Sequence, residues 1–393
     1  MVIKEGYKQT EIGVIPIDWE IMNLGNLFEF KNGLNKEKHF FGYGTPILNY
    51  MDVFNYSGIV SKDIKGKVFL TNQEIKTYEV KKGDVFFTRT SETVEEIGIT
   101  TVVIDDVINT VFSGFVLRGR PKNSILDLNF KKYCFSSNFV RKEIISTASY
   151  TTRALTNGRL LANVKIVVPT LKEQTAIATA LSDADGLITG LEKLIAKKRN
   201  IKQGAMQQLL QPKEGWEVKK LGEIFTITAG GDLDVNNFSL ITDEKYCYPI
   251  YSNALTNKGL YGFTSEYRQI ENTITVTARG QVGVANPRDH KYTAIGRVIM
   301  LNPIIELNIN FITECINNFI KFNNESTGVP QLTAPQISKY EIIIPDYKEQ
   351  TQIAKILSDM DAEISSLEQK LEKYKKVKLG MMQELLTGKT RLN

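Results

Sequence analysis

The chain has 393 residues and a mass of 44.4 kDa, too much for one typical core, so two or more domains are expected. Its 42% hydrophobic and 24% charged content is that of a soluble globular protein; no run approaches the ~18 apolar residues of a membrane span, and Met1-Val2-Ile3-Lys4-Glu5-Gly6 lacks an apolar signal core. Cys134, Cys247 and Cys315 are scattered and odd in number, and with only His39 and His290 beside them they exclude a disulfide framework and a zinc site and fit a reducing cytoplasm.

The net charge is +5, unevenly placed: residues 1–168 carry 22 basic and 18 acidic side chains, residues 213–344 carry 12 and 14. This permits nucleic-acid binding without demanding it.

In chain order, the first landmark is Trp19-Glu20, followed by Leu24-Gly25. Thr45-Pro46-Ile47-Leu48 comes next, then a strand-like run from Val80 to Arg89. A β-branched run, Ile166-Val167-Val168, leads into Pro169. A long helical pattern follows. Ile177, Leu181, Ala184, Ile188, Leu191 and Ile195 step by four and three, a heptad seam that Lys198 interrupts. Thr170 and Glu173 have the spacing of a capping box, and Gln211-Pro212 ends the helix.

The same order then recurs. Trp216-Glu217 and Leu221-Gly222 lead to Tyr248-Pro249-Ile250-Tyr251, to a run from Ile270 to Arg279, and to Ile342-Ile343-Ile344-Pro345. Asp346 and Glu349 start a second helix with seam residues Ile353, Leu357, Met360, Ile364, Leu367, Leu371 and Tyr374, and Gly388 follows it. Residues 169–210 and 345–386 align without a gap, with 21 of 42 positions identical. The chain is therefore a long internal repeat. Each helix would be ~60 Å long, too long for the inside of one domain, so the two are expected to pack on each other. Between landmarks the halves differ in length and sequence: one scaffold carries two surfaces.

Catalytic motifs are scarce. Gly388-Lys389-Thr390 lacks the first glycine of a phosphate loop, because Gln383 stands there. Asn286-Pro287-Arg288 and Asn302-Pro303-Ile304 do not match the Asn/Asp-Pro-Pro-aromatic loop of amino-methyltransferases. Glu29-Phe30-Lys31 and Glu79-Val80-Lys81 are only the short half of a nuclease motif. No catalytic and no metal-ligating residue is assigned. Polar, basic segments remain, in matching places. The first half offers Lys31, Asn32, Lys36, Lys38, Thr88, Arg89, Thr90, Arg153 and Arg159. The second offers Asn236, Arg279, Gln281, Arg288 and, closing the segment 326–331, Gln331. Such side chains read base edges and grip phosphates. Arg89 and Arg279 stand out, each taken as ending an equivalent strand. Trp19 and Trp216 are read as core anchors.

This arrangement resembles the specificity subunit of Type I restriction-modification enzymes over nearly the whole chain. The resemblance rests on the Pro-x-x-Lys-Glu-Gln-Thr helix starts (169–175, 345–351), the Leu-Ser-Asp-x-Asp steps (181–185, 357–361), the Gly-x-Met-Gln-x-Leu-Leu ends (204–210, 380–386) and the Trp-Glu entries (19–25, 216–222). It implies a mixed α/β fold: two globular target-recognition domains separated by two long antiparallel helices in a coiled coil, with pseudo-two-fold internal symmetry. The boundaries expected are 1–168 and 212–344 for the domains, 169–211 and 345–393 for the helices and C-terminal tail. It also implies a non-catalytic, cytoplasmic subunit that reads a split double-stranded DNA site and docks two methyltransferase subunits, joined by restriction/translocase subunits. Glu173, Gln174, Asp183, Asp185, Glu349, Gln350, Asp359 and Asp361 become candidate docking residues. S-adenosylmethionine, ATP and magnesium are expected on the partners and no cofactor on this chain, which has no membrane role. Two competing readings are a coiled-coil tether without DNA and a self-sufficient methyltransferase or nuclease; the missing motifs disfavour the second.

Overall fold

The structure is a computed structural model that describes residues 5–150, 152–322 and 331–392. The chain divides into two compact units, Met1–Glu192 with Gln369–Asn393, and Lys193–Glu368. Two 39-residue helices, Leu171–Leu209 and Tyr347–Leu385, each contribute one part to each unit.

In the first unit a five-stranded sheet runs Phe28–Asn32, Val116–Pro121, Val85–Thr88, Thr100–Val103, Gly58–Ile59; all neighbours are antiparallel except the last pair. Val85-Phe86-Phe87-Thr88 is buried throughout because both faces are covered. Val85 and Phe87 join one core with Trp19, Phe130 and Ile177, while Phe86 joins another with Leu48 and Phe112. Alternation along the strand sends successive side chains into opposite cores.

The second unit has the same central order, shortened by one strand: Phe225–Ala229, Val298–Pro303, Thr273–Thr277, Ala285–Arg288. Ile274 and Val276 face a core containing Phe311, Ile353 and Leu357. In both units a strand pair closes the base, Glu20–Asn23 with Lys165–Val168 and Glu217–Lys220 with Glu341–Ile344. Between each Trp-Glu entry and its sheet lies a Leu-Gly turn. A Cβ on Gly25 would meet Ala162 at 3.0 Å, and one on Gly222 would meet Ser338 at 2.8 Å, so the close approach of each turn to a short helix requires glycine.

The helices pair antiparallel within each unit. In the first, Glu192 binds Lys375 at 2.8 Å and Asp185 binds Lys378. In the second, Arg199 binds Glu368 and Lys202 binds Asp361 at 2.7 Å. These are the same repeat positions with the two helix copies exchanged. The seam residues are buried or half-buried as the heptad pattern requires, Ile177, Leu181 and Leu357 almost completely. Lys198, where the first seam breaks, pairs with Glu363 at 2.7 Å.

The capping boxes are half-formed. Glu173 N–H donates to Thr170 Oγ1 at 3.4 Å and Glu349 N–H to Asp346 Oδ1 at 2.8 Å. The two carboxylates do not return to the cap, because each is drawn to a tryptophan. Trp19 Nε1 donates to Glu173 Oε2 at 2.7 Å and Trp216 Nε1 to Glu349 Oε2 at 3.2 Å. Trp19 is fully buried, as a core anchor should be; Trp216 is half-buried and meets the Phe311 ring edge-on.

Candidate nucleic-acid interface

Beyond the third strand of each sheet the chain leaves the core and pairs with a returning segment. In the first unit Thr90–Ser91 pairs antiparallel with Ala154–Leu155, Thr90 standing opposite Leu155. In the second, Arg279 forms an antiparallel bridge with Gln331. The hydrogen bonds fix the equivalence. Thr156 N–H donates to Arg89 O, and Leu332 N–H to Ala278 O. Thr88 pairs with Val116, and Thr277 with Val298.

Arg89 therefore corresponds to Ala278, and Arg279 to Thr90. The expectation that Arg89 and Arg279 end equivalent strands is off by one residue. Because strand side chains alternate, that residue decides exposure. Arg89 is half-buried, with Nη1 3.4 Å from Gly114 O; Arg279 is exposed.

Of the other candidates in the first unit, Thr88 is 0% exposed; its hydroxyl donates to Glu96 O and accepts from Ile99 N–H. It is a structural residue, not a surface contact. Lys31 donates to Thr77 O at 2.7 Å. Lys36 lies over the Phe40 ring and pairs with Glu74 at 2.8 Å, holding that carboxyl down at about 2. Asn32, Lys38 and Arg159 are exposed. Arg153 is exposed and 3.8 Å from Glu92. A cavity of about 350 Å³ opens beside Thr90 and Arg153, walled by Tyr50, Phe54 and Phe115. Burial raises the Tyr50 hydroxyl pKa. Phe115 and Leu155, both exposed at this edge, were passed over in the sequence because neither carries a polar atom; counting back from the helix repeat would have aligned Leu155 with Gln331.

In the second unit Asn236 and Gln281 are exposed loop residues, held through their backbone: Asn236 N–H donates to Asp234 Oδ1, and Gln281 O accepts from Thr277 Oγ1. Arg288 is 3% exposed. Its guanidinium lies 3.4 Å from the centre of the Tyr251 ring and donates to Thr275 Oγ1 and Lys258 O, so it serves the core rather than the surface. Gln331 is exposed, and residues 326–330 of its segment lie outside the described residues.

Six of the eight docking candidates are engaged by other residues of the chain, five of them buried or half-buried and Asp361 exposed. Gln174 is 0% exposed: it accepts from Asp127 N–H and donates to Ile125 O and Pro169 O. Gln350 repeats this with Asn308 N–H and Pro345 O. Glu173 and Glu349 hold the tryptophans. Asp185 and Asp361 pair across the helices, and Asp185 also accepts from Tyr133. Such polar repeats read as surface but build the joint between helix and sheet. Asp183 and Asp359 remain exposed, the latter beside Lys355.

Among the described residues, no group of three or more His, Cys, Asp or Glu could hold a metal, and no helix is long and apolar enough to cross a membrane.

The family model for the Type I restriction modification DNA specificity domain matches residues 16–203 and 213–376. The putative type I restriction enzyme MjaX specificity subunit of Methanocaldococcus jannaschii is 27% identical over 430 residues, spanning 99% of this chain and 97% of that one. The putative type I specificity subunit S.MpnORF507P of Mycoplasma pneumoniae is 30% identical over 208 residues; the match spans 52% of this chain and 57% of that relative. The crystal structure of the type I S subunit from M. genitalium superposes with a TM-score of 0.61 at 16% identity, covering 98% of both chains. That of HsdS from Thermoanaerobacter tengcongensis gives 0.53 at 15%, covering 96% of this chain and 98% of that one. With both halves matched by one domain model and the fold shared end to end, the chain belongs to the family of type I restriction-modification specificity subunits.

Proposed function

We propose that this chain is the non-catalytic DNA-reading subunit of a type I modification and restriction complex in the cytoplasm. Each sheet domain, 1–168 and 212–344, reads one half of a split, asymmetric double-stranded site. The helices set the gap between half-sites and dock two methyltransferase subunits, with restriction/translocase subunits completing the assembly. S-adenosylmethionine, ATP and magnesium belong to those partners. One observation carries the reading: the same sheet is built twice on the same helix start, while the side chains at the strand exit differ, Thr90 and Leu155 against Arg279 and Gln331. One scaffold with two surfaces suits two unlike half-sites.

The test is co-expression with the cognate methyltransferase subunits. The complex should shift duplex DNA in a salt-dependent manner and modify a bipartite motif, while the purified chain alone transfers no methyl group. Absence of any DNA shift with the partner present would favour a protein tether. Inserting one or two helical turns near Lys197–Asn200 should lengthen the unspecified gap and leave both half-sites as they were; an unchanged gap would refute the spacing role.

A further inference from the structure

Residues directly opposite in an antiparallel pair present their side chains on one face, with Cβ atoms about 4.5–5.5 Å apart. Thr90 and Leu155 stand in that relation, as do Arg279 and Gln331 at the equivalent place. Leu155, Arg279 and Gln331 are exposed and Thr90 is half-buried. Among the described residues no hydrogen bond or ion pair occupies the Arg279 guanidinium or the Gln331 amide. Asn253 fixes the Arg279 backbone by donating to its carbonyl at 3.0 Å. Gly280, at φ +76° with open space around it, turns the chain away immediately afterwards. Two other arginines of this unit are engaged: Arg288 on Tyr251, and Arg268 with Nη1 3.4 Å from Asp232 O. In a region of net negative charge, this places an unengaged guanidinium and an unengaged amide side by side on a held backbone, both free to meet a ligand.

We propose that this cross-strand pair determines the specificity of each module. Arg279 and Gln331 read adjacent purines in one half-site, Arg279 donating to guanine O6 and N7, Gln331 pairing with adenine N6 and N7. Thr90 and Leu155 read the other half-site by apolar contact with a thymine methyl. Side chains of this length, mounted about 4.5–5.5 Å apart, can converge on successive base pairs about 3.4 Å apart. This assignment rests on the DNA-reading function proposed above and adds the positions that carry it.

The test uses the full chain co-expressed with its methyltransferase subunits, with modified bases mapped genome-wide. The wild-type motif comes first: no bipartite motif would sink the DNA-reading function itself, independently of the pair. Given a motif, Arg279→Gln should shift one position of one half-site from guanine toward adenine by about tenfold or more in relative methylation. Gln331→Ala should relax a neighbouring position of the same half-site, and Leu155→Ala a thymine in the other. Each variant should keep the wild-type melting temperature. An unchanged motif overturns the proposal. So does a uniform loss across all sites in a folded variant, because that marks a phosphate contact. Should Arg279→Gln lose its fold, Gln331→Ala and Leu155→Ala decide by the same criteria.

Discussion

In the first unit Trp19 is fully buried, and Arg391 binds Glu173 at 2.7 Å and Asp18 at 2.8 Å beside the indole. In the second, Trp216 is half-buried and Glu349 pairs with Lys213 at 2.9 Å. A second substitution separates the units deeper in. Tyr133 bonds to Asp185 at 2.8 Å, whereas the corresponding Glu314 sits near Asp361 with its carboxyl pKa raised, chiefly by burial. Equal backbone positions thus carry unequal electrostatics. The lesson is that the repeat conserves geometry, while the strength of each joint depends on what closes over it.

The largest test of that contrast is Trp19→Ala against Trp216→Ala. Emptying the fully buried site should cost about 4 kcal/mol, and the half-buried one about 2 kcal/mol. Hydrogen exchange at Val85–Thr88 and at Thr273–Thr277 reads the two units separately. Equal losses would erase the distinction.

Next comes Gln174→Ala against Gln350→Ala. Each removal leaves buried backbone groups unpaired, at about 1–3 kcal/mol per site. Gln174 serves three such groups and Gln350 two, so the first unit should again suffer more. The same exchange measurement ranks them.

A comparable effect, about 2 kcal/mol, is expected from Arg391→Ala, which leaves the buried Glu173 carboxylate with only the Trp19 indole; Lys213→Ala should cost about 0.5 kcal/mol, because its pair with Glu349 is half in solvent. The two joints should also respond to pH with opposite sign. Arg391 lowers the Asp18 pKa below its ordinary 3.8, so that stabilisation is present above 3.8 and is lost as pH falls through the folded value. Glu314 is raised above 4.5, so its own contribution should become more stabilising as pH falls through the raised value toward 4.5. Glu314→Gln should flatten that slope in unfolding curves recorded from pH 4 to 7.

Much of this was legible in the sequence. The heptad steps through Ile177 and Leu181 and the two tryptophans announced the helices and the doubled scaffold, since hydrophobic period and rare residues survive divergence. The strand exits were legible only to within one residue. Arg89 and Arg279 look alike in a linear alignment, yet the pairing of Thr88 with Val116 and of Thr277 with Val298 sets them one residue out of step, and Arg89 lies half in the core. Gln174 and Glu173 misled for another reason: polar residues on a helix suggest solvent, and only tertiary structure reveals a backbone waiting to be bonded.

The glutamate–glutamine pair at each helix start has a practical corollary. It works as a socket whose demands are few: an indole N–H for the glutamate, and one peptide N–H with nearby carbonyls for the glutamine. A cassette meeting those demands can seat on the helix whatever its own interior or outer edge contains. Foreign recognition cassettes spliced before Trp216 and after Pro345 should consequently inherit a firm seat without co-adapted partners, provided that they bring an indole of their own to Glu349, whereas cassettes lacking that entry tryptophan should express poorly.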